Sequence, residues 1–118
     1  MTIEEFLDKV KKGGRVSFQE TMKAIKANFI YTPVQFTNGL GEGRVVNAAG
    51  KNEGSCKIFA LGKRYGLSKE ETLVLFGELY WRDVLEHPNG ADHSNIRTFM
   101  RDGWDGIEFE AEPLKVRE

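Results

Sequence analysis

The chain has one cysteine, Cys56, so no disulfide can close within it, and that fits a reducing compartment. It has no apolar run near the ~18 residues that a membrane-crossing helix requires. Its first residues, Met1-Thr2-Ile3-Glu4-Glu5, lack a basic and then apolar leader, so no secretory signal is expected. It carries almost no net charge: 17 Lys and Arg stand against 18 Asp and Glu. No bulk field therefore draws it to nucleic acid or to an anionic membrane. Repeats and low-complexity tracts are absent. So are the spacings of a Walker loop and of a dinucleotide-binding Gly-x-Gly-x-x-Gly turn, and no His-x-x-x-His or Glu-x-x-His pair suggests a metal. No cofactor and no metal are expected.

What is present is enough for a core. The 118 residues are 40% apolar and include eight Phe, three Tyr and two Trp. That length and content predict a single domain over residues 1–118. Charge is unevenly spread, with a basic first half and an acidic second half, a pattern that most often belongs to a solvated surface.

Three stretches carry the signature of a helix start. In Thr2-Ile3-Glu4-Glu5, Ser17-Phe18-Gln19-Glu20 and Ser68-Lys69-Glu70-Glu71 a hydroxyl stands three residues before a Glu, so each side chain can satisfy the other's backbone N–H. Ile3, Phe6, Leu7 and Val10 then follow at helical spacing, and Gly13-Gly14 ends that helix. Phe18, Met22, Ile25 and Phe29 mark a second helix, to about Ala27. Ile58, Phe59, Ala60, Leu61 and Tyr65 mark a third and central one that begins between Asn52 and Ser55. Leu73, Phe76, Leu79 and Tyr80 predict a fourth, running to about Glu86. Ile96, Phe99 and Met100 predict a fifth, capped by Asp92-His93-Ser94-Asn95.

Elsewhere the period is two. Val34 and Phe36 alternate with Gln35 and Thr37, Asn38–Gly43 has turn chemistry, and Val45-Val46 resumes the apolar run. Ile107, Phe109 and Ala111 alternate with Glu108, Glu110 and Glu112 up to Pro113, a strand expected beside Val34–Thr37. The tail from Leu114 to Glu118 reads as frayed. The fold class is α+β, mainly α: about five short helices with a small antiparallel sheet of about three strands.

The stretch richest in chemistry is Asn47–Lys57. It sets Asn47, Asn52, Glu53, Ser55, Cys56 and Lys57 beside Gly50 and Gly54, where a loop enters a helix. Free backbone N–H groups and the positive end of the helix dipole make such a place an anion site. The plain alternative is a tight turn and a helix cap. Asp92, His93 and Asn95, at another helix start, are the expected second half of a pocket for a small polar or anionic ligand. Glu53 and His93 are then candidates for acid–base chemistry, with Cys56 or Ser55 near. A thiolate–imidazole pair of Cys56 with His93 or His87, oriented by Asp92, is a further alternative, as is a metal site of His87, Asp92 and His93 with Glu53, Glu78 or Asp83. Trp81, Trp104 and the tyrosines are either core or pocket lining. Trp104, in Gly103-Trp104-Asp105-Gly106, is the one expected to be exposed.

Several of these runs carry a likeness. Tyr31-x-Pro33-x-x-Phe36-x-Asn38-Gly39, Asn47-Ala48-Ala49-Gly50-x-Asn52-Glu53-Gly54-Ser55-Cys56-Lys57-x-Phe59, Leu75-Phe76-Gly77-Glu78-x-Tyr80, Asp92-His93-x-Asn95-Ile96-Arg97 and Gly103-Trp104-x-Gly106 together resemble the HopJ type III effector family, over about residues 3–114. The resemblance implies a small bacterial protein of one domain; the lone cysteine points to the cytoplasm, and the family name implies export through a type III system. It brings no established enzymatic activity and no established catalytic residue. The two functions expected are therefore ligand binding at Asn47–Lys57 and, as the alternative, an interaction module for a host or bacterial protein.

Overall fold

Three of the helix starts form as their residues dictate. Thr2, Ser17 and Ser68 each accept a backbone N–H from the Glu three residues on, and that Glu reaches back to the cap's own N–H. From these caps run α1 (Ile3–Lys11), α2 (Phe18–Asn28) and α4 (Lys69–Val74). The computed structural model describes residues 2–117. The remaining helices are α3 (Glu53–Arg64), α5 (Glu78–Trp81) and α6 (Ser94–Asp102). The strands are β1 (Phe29–Tyr31), β2 (Phe36–Asn38), β3 (Val45–Asn47), β4 (Glu108–Phe109) and β5 (Leu114–Val116).

The strands form two antiparallel sheets. In one the order is β3-β2-β4, with Phe36 opposite Asn47 on one side and Phe109 on the other. The predicted hairpin and the predicted pairing of the Ile107–Ala111 segment with the Val34–Thr37 segment are both present. The second sheet pairs β1 with β5, Phe29 opposite Val116. It corrects the reading of the tail: Leu114–Val116 is a strand, and Leu114 is buried. Glu118 lies outside the described residues.

The class is α+β, mainly α, with six helices and five strands among the described residues instead of five and three. The extra helix comes from a break in the predicted fourth. Gly77 sits at φ +58 with its Cα against α2's first turn, where a Cβ would strike the Phe18 nitrogen and the Ser17 carbonyl carbon. Only glycine adopts that conformation at that distance without strain, so the chain stops after α4 and restarts as α5. Glu78 completes the joint, because its carboxylate accepts the Phe18 N–H at 2.9 Å.

The core is built around α3. Phe59 is fully buried and has Phe36, Phe76, Phe99 and Trp104 around it at centroid distances of 4.8–6.5 Å. Such edge-on and tilted pairs add to the stabilisation from area alone. Trp104 is thus packed, contrary to expectation. Its ring meets Phe99 at 5.0 Å, and its indole N–H donates to the Leu67 carbonyl at 2.9 Å. Ile3, Phe6, Leu7 and Val10 of α1 are buried as their spacing predicts, as are Ile25 and Phe29, while Phe18 and Met22 are partly buried against the same core.

Candidate functional site

Helices α3 and α6 begin differently from the three with capping boxes. Asn52 and His93 stand at their N-caps in the left-handed conformation, both at φ 51 and ψ 48, and neither side chain caps its helix. Asn tolerates that conformation better than most residues, and His is enriched there too. A left-handed residue followed by a helical one turns successive backbone N–H groups toward the same side, which makes a concavity suited to an anion. The first N–H groups of both helices are left without side-chain acceptors.

The two helix starts line one cleft of about 320 Å³. Asn52, Gly54 and Ser55 come from α3, and His93, Ser94, Asn95 and Ile96 come from α6. Phe18, Phe76 and Leu79 supply apolar wall. Gly54 is what admits the Phe18 ring, since a Cβ there would lie 2.7 Å from its Cζ.

A buried asparagine network holds the two starts together. Asn47 and Asn95 exchange amide hydrogen bonds at 2.9 and 3.1 Å, and both are almost wholly buried. Asn52 donates to Asn47 Oδ1 at 2.7 Å. From β2, buried Asn38 donates to both the backbone and the side-chain oxygen of Asn95, at 2.8 and 3.0 Å. Each of these amides is thereby fixed in orientation, because donors and acceptors must alternate.

His93 is held from the side of the turn after α5. Its Nε2 lies 3.2 Å from an Asp83 oxygen and 3.9 Å from Asp92. Arg82, at 2.8 Å, is the main cause of a lowered Asp83 pKa, with His93 adding to it. Arg97 likewise lowers the Asp92 pKa through a 2.7 Å bond. Arg97 also binds the Asp92 and His87 carbonyls, which fixes the exposed loop before His93.

Of the residues expected to form the site, the structure brings Asn52, Ser55, His93 and Asn95 to the cleft and puts Asn47 in the network behind it. It separates the others. Glu53 is exposed and does not line the cleft, and the carboxylate partner of His93 is Asp83, so the expected Glu53–His93 proton-transfer pair is replaced. The helical turn explains it: Glu53 is at the first position of α3, one residue from the face that Gly54 and Ser55 present. Cys56 is 1% exposed, lies by Tyr31 and the Val34 backbone, and does not line the cleft. Burial pushes its thiol pKa up, which opposes a nucleophilic role. Tyr31, whose buried hydroxyl finds no hydrogen-bond partner among the described residues, is also pushed above its ordinary value, by burial and then by Cys56 and Glu53. Lys57 stacks over the Tyr31 ring at 4.7 Å and does not line the cleft. Asp92 caps nothing and is taken by Arg97. Among the described residues no three His, Cys, Asp or Glu side chains are arranged to hold a metal ion. Asn38 is the residue that the sequence hid, and Asp83, expected only as a candidate metal ligand, is instead the hydrogen-bond partner of His93. Asn38 stands in a run of turn residues, and Asp83 reaches His93 from the turn after α5.

Comparisons with known proteins agree with the likeness in the sequence. The model of the family described as HopJ type III effector protein matches residues 3–114. The solved structure of VPA0580, a protein of unknown function, is similar over 99% of this chain and 95% of its own, at 45% identity and a TM-score of 0.93. No curated protein matches.

Proposed function

The chain belongs to the HopJ type III effector protein family, and from that premise we propose that it binds a small anionic ligand in the cleft between α3 and α6. The observation that carries this reading is the meeting of two uncapped helix starts in one cleft. Each contributes unsatisfied N–H donors and a partial positive charge, and charge of that kind favours an anion. The lining favours a narrower class of ligand. Phe18, Phe76, Leu79 and Ile96 give it an apolar wall, so a carboxylate or phosphate carried on a short apolar body suits it better than a bare sugar. The asparagine network keeps the donors in place before the ligand arrives, which lowers the ordering cost of binding.

The test is a titration of ¹⁵N-labelled protein with hexanoate and with inorganic phosphate. The amides of Gly54, Ser55, Ser94 and Asn95 should shift together and saturate. Shifts scattered over the surface, or none, would refute the reading.

The interaction module is the second reading. Its support is Ile30 and Val116, which are nearly half exposed on the β1–β5 ribbon. Delivery through a type III secretion system, which the family description carries, would suit it. Changing Ile30 and Val116 to Ser should abolish partner binding and leave the anion titration unchanged.

A further inference from the structure

A cleft that receives an anion is sensitive to any group near it that changes charge. His93 lines this cleft and is about a quarter exposed. The charged groups around its ring come from each side. Asp83, on the turn after α5, meets Nε2 at 3.2 Å, and Asp92, on the loop before α6, stands at 3.9 Å. Each has its own Arg, Arg82 and Arg97, at 2.8 and 2.7 Å. From the α3 side the lining residues Asn52, Gly54 and Ser55 are uncharged. With the imidazole neutral, these two carboxylates and two guanidiniums cancel, and with it protonated the group carries one positive charge.

The ring's other nitrogen makes no hydrogen bond among the described residues. In the neutral ring, an N–H on Nε2 donated to Asp83 leaves Nδ1 as a lone pair, able only to accept. Protonation makes Nδ1 a donor.

We infer that His93 is the proton switch of the cleft and Asp83 its positioning residue, so that one proton is taken up with the anion. This rests on the anion reading given above. Imidazole changes charge between about pH 5 and 8. A unit charge roughly 6 Å from a bound anion, at an effective dielectric of roughly 40, changes affinity about tenfold. Binding should therefore weaken as pH rises.

The experiment follows the Gly54, Ser55 and Asn95 amides through sulfate titrations from pH 5.5 to 8.0. Sulfate keeps its charge across that range, unlike phosphate. The parent should bind about tenfold more tightly at pH 5.5 than at 8.0. His93→Asn, which keeps a residue tolerant of the left-handed conformation, should bind with no pH dependence. Asp83→Asn, whose amide oxygen can still accept the Nε2 N–H, should keep the dependence. A flat parent profile, or one that survives in His93→Asn, overturns the switch while leaving the anion site standing. Amides that do not move at any pH end both.

Discussion

Replacing Asn47 by Ala would break the joint between the two helix starts. Asn47 donates to Asn95 at 3.1 Å and accepts from Asn95 and Asn52 at 2.9 and 2.7 Å. Its longer contact to the Phe36 carbonyl, 3.5 Å, adds little. Asn95 would keep its bonds from Asn38 but lose the partner of its own N–H₂, and it is 5% exposed. A buried donor without a partner costs about 1–3 kcal/mol, and the lost bonds add about 1 each. Relaxation of exposed Asn52 returns some of that. The expected loss is about 3–5 kcal/mol, against a total of about 5–15 for a domain of this size. Asn52→Gly keeps the left-handed backbone and removes one partly exposed bond, so it should lose under about 1 kcal/mol. Urea unfolding measures both, read as a change in midpoint at constant slope. If Asn47→Ala lost less than about 0.5 kcal/mol, or no more than Asn52→Gly, the network would not be what holds the site.

Gly77→Ala should destabilise by roughly 2–4 kcal/mol, because the new Cβ meets positive φ and the backbone of α2 at once; thermal unfolding measures it, and a neutral result would contradict the account of the α4–α5 break. Cys56 should react slowly with a bulky disulfide reagent under native conditions and quickly in denaturant, and equal rates would refute its burial. Asp102 accepts from Arg101 and from the Leu40 N–H at 2.9 Å, and its pKa is lowered by Arg101 first. A lowered folded value stabilises above the unfolded pKa, about 4, and that contribution is lost as pH falls through the folded value. Melting temperature followed from pH 6 to 2 should thus fall less steeply in Asp102→Asn than in the parent.

What the sequence revealed was local. A hydroxyl three residues before a Glu needs no distant partner, so the starts of α1, α2 and α4 were legible, and so was the alternation of β2. Gly77 was not, because Leu73, Phe76 and Leu79 keep their helical spacing across it, and the break arises from contact with residues 16–18. β5 was hidden by its length of three residues and by Lys115 at its centre. The site divides in the same way. Asn52 and His93 were visible as polar residues at helix starts. Glu53 was misplaced because one position on a helix turns a side chain by about 100°. Asp83 acts through a turn that only the folded chain supplies.

The central claim is that an anion rests between the starts of α3 and α6. A crystal grown with selenate and measured at the selenium edge tests it directly. The anomalous peak is expected within hydrogen-bonding distance of the backbone nitrogens of Ser55 and Asn95, beside the His93 ring. Selenate found only at surface lysines and arginines, with the cleft free of it, would contradict the account.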